Sequence, residues 1–283
     1  MPEEKELENT VVCIGDNCID RYDFPTKRRF VGGNAINTAV HAREAGCPTS
    51  YVGSVGMDSN GRAILQTLQS RGIDTSQVQV FDAETAWTQV SLTGGERRFT
   101  EEYLGPVERF RWSEAVYRYL FSHFLIHNTW QGGTEKQLPI FREKGKSLLS
   151  MDFGERYSEE FLHNCIPYVD IGFFSMDPDS ADGAIDFARR MNGLGPSIVV
   201  VTMGKRGSVV SRNQTETYFT PAKSIKPVDT LGAGDTYIGT FIAAFVQGNP
   251  IRQCMERATA AAAKNCMLFS GFAGSEILEE QDG

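Results

Sequence analysis

Apolar positions along this chain follow two rhythms that replace one another. Short unbroken apolar runs ending in glycine or a polar residue read as buried strands, and stretches with apolar residues three and four apart read as helices. Residues 11–15 form the first run. Residues 34–45 carry helical spacing and stop at Gly46, a natural C-terminal cap. Residues 49–55 predict a second strand, and 61–71 a helix stopped by Gly72. The texture then changes. Residues 78–81, 85–92 and 97–101 predict short antiparallel strands, the last two joined around Thr93-Gly94-Gly95. From Trp112 the first texture returns, with helices at 113–121, 134–144 and 181–191 and strands at 124–127, 148–152, 171–174 and 198–202. A β-rich piece at 208–218 and two helices, 233–246 and 251–269, complete the pattern.

Strands alternating with helices predict an α/β fold, a doubly wound and mostly parallel sheet with helices on both faces. The 283 residues suit a single domain, 1–283. Ligands of such sheets sit beyond the carboxyl ends of the strands. Asp16, Asn17, Asp20, His127, Asp152 and Thr202 are the polar residues expected there.

Composition narrows the partners. Hydrophobic residues make up 41% and charged ones 23%, ordinary for a globular protein. The net charge of −8 argues against nucleic acid or an anionic membrane as main partner. It leaves an anionic nucleotide open, because converging backbone amides bind phosphate on an acidic protein. No apolar stretch is long enough for a membrane helix, and residues 1–9 are too acidic and polar for a signal peptide. Six scattered cysteines without a C-x-x-C pair read as free thiols of a cytoplasmic protein. The four histidines lack zinc spacing.

The strongest chemical signal is Asp229-Thr230-Leu231-Gly232-Ala233-Gly234-Asp235, directly before an apolar helix. Small residues let successive N–H groups point at one spot, and the helix adds its positive end. That is an anion hole suited to a phosphoryl group in flight. Asp235 at its mouth can accept the proton of an attacking hydroxyl, or it is only a helix cap and the glycines only a turn. Phe30-Val31-Gly32-Gly33-Asn34-Ala35-Ile36-Asn37 opens another helix with a Gly-Gly pair, where Asn34 and Asn37 can bond hydroxyls. Val52-Gly53-Ser54-Val55-Gly56-Met57-Asp58 is a strand-to-helix turn. Thr202-Met203-Gly204-Lys205-Arg206-Gly207 would let a nucleotide lie across the backbone.

In this order the four motifs resemble those of the ribokinase, or PfkB, family of carbohydrate kinases, from about Val11 to Phe272. The resemblance implies a ribokinase-like fold and ATP-dependent phosphorylation of a sugar-like substrate. It implies Asp235 as general base, with Gly232, Ala233 and Gly234 as the anion hole. Asp20 would hold sugar hydroxyls, and Gly32, Gly33, Asn34 and Asn37 the substrate loop. Thr202, Gly204, Gly207 and Asn265 would lie on the nucleotide side, and Asp229 with Thr230 at a monovalent cation, usually K⁺. A small β-sheet lid at about 21–31 and 85–101 would cover the sugar and can clasp a homodimer. Mg²⁺ would accompany ATP, yet the family's Asn-x-x-Glu is replaced by Ser175-Met176-Asp177-Pro178-Asp179, leaving Asp177 or Asp179 as its substitute.

Finer likeness, at residues 14–20, 30–37, Thr88-Gln89-Val90 and Ala262-Ala263-Lys264, is to the branch that phosphorylates fructosamines such as fructoselysine, the Amadori compounds. A sugar-amine of that kind offers ketose hydroxyls to Asp20, a secondary ammonium to Asp16 and a carboxylate to Arg98 or Arg156. Gln89, His127 and Asp152 complete the expected substrate side, and Trp87, Phe99, Tyr103 and Trp130 could line the arm's pocket.

Overall fold

The first strand shows why its run is apolar without alternation. β1 (Glu8–Ile14) sends Val11 and Cys13 to one face and Val12 and Ile14 to the other, and both faces are covered. The computed structural model describes residues 8–22, 27–93, 96–155, 157–178 and 180–277. After β1 come β2 (Cys18–Tyr22), β3 (Arg29–Gly32), α1 (Asn34–Glu44), β4 (Thr49–Val52), β5 (Ser54–Gly56) and α2 (Ser59–Ser70). Next are β6 (Gln79–Phe81), β7 (Trp87–Thr93), β8 (Glu96–Tyr103), α3 (Glu114–Leu120), β9 (His123–Thr129), α4 (Leu138–Lys144) and β10 (Leu148–Asp152). The chain continues through α5 (Glu159–Cys165), β11 (Ile171–Ser175), α6 (Ala181–Asn192), β12 (Ile198–Thr202), β13 (Ser208–Arg212), β14 (Glu216–Thr220), α7 (Ala233–Val246) and α8 (Ile251–Asn265).

The large sheet has the order β14-β13-β12-β11-β10-β9-β1-β4, parallel from β12 to β4, with β13 and β14 antiparallel at one edge. Odd and even strand positions divide between two cores. Val11, Leu125, Phe173 and Val200 pack with α1, α2, α7 and α8. Val12, Ile126, Phe174 and Val201 pack with α3, α4, α5 and α6. β1 lies between β4 and β9, so the strand order reverses on either side of it, and the crevice beyond its carboxyl end is a switch point of the kind where ligands bind. Among the described residues no helix is long and apolar enough to cross a membrane. The six cysteines are unpaired.

A second sheet, β3-β2-β7-β8, stands apart with its own small core of Tyr22, Phe30 and Val90, against which Phe269 packs. It extends the expected lid at both edges, from Cys18 to Tyr103. Several other expectations are corrected. The strand expected at 49–55 breaks at Gly53, where a side chain would strike the Tyr51 hydroxyl and the Gly15 carbonyl. Beyond the break β5 leaves the large sheet and pairs with β6, in parallel and not antiparallel as expected. The last helix ends at Asn265, because the Cys266 carbonyl turns to accept the amides of Val228 and Asp229. The short helix α5 was not signalled by the apolar pattern.

Candidate active site

α7 begins differently from four of the other helices. α2, α3, α5 and α6 each start behind Asp58, Ser113, Ser158 or Ser180, whose side-chain oxygen accepts the N–H of the third helical residue. α7 starts behind Gly232, at φ 70°, with no side-chain cap. First-turn amides have no intrahelical carbonyl to bond, so those of Gly234 and Asp235 stay at an open, electropositive helix end. The sequence predicts an anion hole at this helix start.

α1 also starts behind a glycine, Gly33 at φ 107°, but Asp16 caps it from the end of β1. Its Oδ2 accepts the Asn34 amide at 2.6 Å and its Oδ1 the Thr129 hydroxyl at 2.5 Å. Asn37, one turn into α1, donates its Nδ2 to Asp235 Oδ2 at 2.8 Å and so joins the two helix starts. Asp20, on the lid strand β2, is buried. Gly32 makes room for it, since any side chain there would overlap the Asp20 carboxylate.

These residues share a cavity of about 400 Å³. Its wall includes Asp16, Asp20, Gly33, Asn34 and Asn37 on one side and Gly232, Gly234 and Asp235 on the other. The lid and the loop after β9 contribute Thr88, Phe99, Glu102, Tyr103, Trp130 and Gln131. Asp235 is only 8% exposed. Burial pushes its carboxyl well above the usual range, the Asn37 hydrogen bond opposes this, and the charges of Asp152, Asp16 and Asp20 push it further up. Such a carboxylate holds a proton more strongly than an exposed one, which suits a general base. Burial likewise raises Asp16, against its hydrogen bonds. It lifts Asp152 to about 6.

Other expected residues fall elsewhere. β9 runs two residues past the expected end, so His127 is an interior strand residue, fully buried, with Nδ1 2.9 Å from the Ser150 hydroxyl. Burial lowers it to about 3. Thr129 takes the strand-end place instead. Asp152 is buried and is not among the described residues that line the cavity, its Oδ1 accepting the Gly154 amide at 2.9 Å. Gln89 follows Thr88 on β7 and therefore points to the other face of the lid, donating to the Arg21 carbonyl at 3.0 Å. Trp87 is likewise lid packing, under the Arg21 guanidinium and beside Tyr103. Phe99, Tyr103 and Trp130 do line the cavity. Arg156, Asp179 and the side chain of Arg98 lie outside the described residues.

On the nucleotide side, Thr202 ends β12, and Gly204 and Gly207 bracket a single turn at φ 54° and 107°. The Ser208 hydroxyl, 2.9 Å from that of Tyr237, ties this loop to the second turn of α7. Asn265 is a brace and not an open surface: it is buried and donates to the Leu231 carbonyl at 3.2 Å. Asp229 is a second brace, accepting the Leu231 and Ser270 amides at 2.8 and 2.9 Å. Its carboxylate is turned to these amides, and Thr230, the other residue of the expected cation site, is exposed. Asp177 pairs with Arg206 of the glycine turn and its side chain is 94% exposed. Among the described residues no three His, Cys, Asp or Glu gather to hold a metal ion.

Comparison with known proteins agrees with this geometry. The family model for pfkB family carbohydrate kinases matches residues 8–270. A fructoselysine 6-kinase of Shigella flexneri is 31% identical over 255 residues, covering 90% of this chain and 96% of that one. A fructosamine kinase of Bacillus subtilis is 28% identical over 277 residues, covering 96% of each. The ribokinase of Arabidopsis thaliana, solved with ribose and ATP, superposes with a TM-score of 0.82 at 19% identity, over 92% of this chain and 93% of that one.

Proposed function

The chain belongs to the pfkB family of carbohydrate kinases, and on that premise we propose that it moves the γ-phosphoryl group of ATP onto the C6 hydroxyl of a fructosamine such as fructoselysine. The observation that carries the reading is the position of Asp235. It is a buried carboxylate at the uncapped start of α7, opening into the same cavity as Asp20 and the Gly33-Asn34 turn.

The steps follow from that placement. Asp20 accepts hydrogen bonds from the ketose hydroxyls and orients the sugar. Asp235 accepts the C6 hydroxyl proton as the oxygen bonds to the γ-phosphorus, and the bond from that phosphorus to the bridging oxygen of ADP breaks. The Gly234 and Asp235 amides and the helix end stabilise the charge on the phosphoryl oxygens in transit. Asn37 keeps the Asp235 carboxylate oriented. The turn from Gly204 to Gly207 provides bare backbone beside α7 for the nucleotide. Mg²⁺ bound to the ATP phosphates would neutralise charge there, with Asp177 or Asp179 to serve its water shell. The amino-acid arm leaves the sugar between Phe99, Tyr103 and Trp130, with Arg98 or Arg156 for its carboxylate.

Another ketose or nucleoside kinase of this family would share all the phosphate chemistry. Turnover with ATP across fructoselysine, fructose-asparagine, fructose, ribose and nucleosides separates the readings. The fructosamine reading expects the highest kcat/KM for a fructosamine. Equal kcat/KM for fructose and every fructosamine would contradict it, and turnover of none would contradict catalysis itself.

A further inference from the structure

Among the described residues the cavity wall carries four carboxylates, of which three have a partner or a proposed task. Asp235 takes a proton and Asp20 faces the sugar hydroxyls. Asp16, which the sequence suggested for the substrate's ammonium, spends one oxygen on the Asn34 amide and the other on the Thr129 hydroxyl. Glu102 remains, exposed at the mouth.

Its place is set by strand register. Asp20 pairs with Thr88, and Thr88 pairs with Glu102, so the three stand in one row on one face of the lid. Adjacent strands lie about 4.8 Å apart, which puts the Asp20 and Glu102 backbones about 10 Å apart across that face. One hydrogen bond of about 3 Å inward from each end leaves the width of a substituted ketose ring. From the loop after β9, Gln131 donates its Nε2 to Glu102 Oε1 at 3.1 Å and holds the carboxylate at the mouth. The rings beside it are open: Phe99 is 63% exposed, Trp130 41% and Tyr103 38%. Aromatic faces next to a carboxylate favour a cation. No Lys or Arg is among the described residues that line the cavity.

We propose that Glu102 reads the secondary ammonium that joins sugar to amino-acid arm, and so sets the preference for fructosamines over uncharged ketoses. This rests on the fructosamine reading above. With Asp20 fixing the hydroxyls, the nitrogen at C1 reaches the next carboxylate along the row, while Gln131 is a positioning residue for that carboxylate.

The test compares fructoselysine with its ether analogue, in which oxygen replaces the bridging nitrogen, in the wild type and in Glu102→Gln. Glutamine keeps the size and an oxygen for Gln131 but loses the charge. The wild-type ratio of kcat/KM, amine over ether, is expected to fall about tenfold to a hundredfold in the variant, the range of one charge-assisted hydrogen bond. Glu102→Asp should keep part of the ratio. An unchanged ratio in Glu102→Gln, including equal losses on both compounds, overturns the proposal. Failure of the wild type to phosphorylate either compound while it turns over another sugar refutes the fructosamine reading itself, a distinct result.

Discussion

The two glycines at the start of α7 should fail in opposite ways when each is replaced by alanine. Gly232 sits at φ 70°, where a non-glycine residue costs about 1–2 kcal/mol. A Cβ there would also stand 2.8 Å from the Gly271 Cα, a backbone atom that cannot swing aside. Gly232→Ala should therefore lose about 2 kcal/mol or more, and at about 2–4 °C per kcal/mol for a chain of this order the melting midpoint should drop by about 4–8 °C. Gly234 has helical backbone, and nothing lies within 4 Å of the Cβ it would gain. Gly234→Ala should hold its stability or gain about 0.5–1 kcal/mol, since alanine is the better helix residue. Yet its methyl group would enter the cavity beside Asp235, where the phosphoryl group passes in the proposed reaction. A displacement of about 1 Å at the reacting atoms can lower the rate on the order of a hundredfold. Thermal melting and steady-state kinase assays on both variants check this. A fully active Gly234→Ala would refute the anion hole, and an undisturbed melting midpoint for Gly232→Ala would refute the strain argument.

Asp152→Asn removes a charge that raises the Asp235 carboxyl, so the acid limb of the kcat/KM profile should move to lower pH; an unmoved limb would sever that coupling. The same variant tests stability. Folded Asp152 titrates near 6, above the roughly 3.9 of an unfolded aspartate, so between those values the folded state binds more protons and wild-type stability falls as pH rises. Urea melts should show a shallower fall for the variant across that window, and identical slopes would contradict the assignment. Asp58→Ala loses the α2 cap and both bonds to Thr85, at 2.8, 2.8 and 2.6 Å, and should cost about 2–3 kcal/mol in urea melts, with less than 1 kcal/mol counting against it.

How much was legible beforehand depended on whether a signal was local. The parallel sheet and α7 could be read because few residues break their apolar runs, only Gly239 and Thr240 between Tyr237 and Val246, and Asp235 because its flanking glycines sit before an apolar helix. Asp16 and Thr129 could not be matched from sequence, since their hydrogen bond spans 113 residues and exists only because β1 and β9 are neighbours. Gln89 was misplaced by one step of strand alternation, and the same alternation, once the register is known, brings Glu102 onto the cavity face beside Thr88. His127 reads as a strand-end residue because the polar Asn128 and Thr129 follow it, whereas both are buried within β9. Asn265 and Asp229 were recognised as important by resemblance, but their partners are backbone amides and carbonyls, which leave no trace in side-chain identity.

The proposed role of Asp235 is general base of a phosphoryl transfer. Asp235→Asn keeps the size of the side chain, and its amide oxygen can still accept the hydrogen bond from Asn37. Turnover with ATP and the best substrate of the panel should fall by about 10²- to 10⁴-fold, while calorimetric sugar binding stays within a few-fold of wild type. A variant that keeps more than about a tenth of wild-type turnover would contradict the claim, because so small a loss lies below what removal of a general base entails.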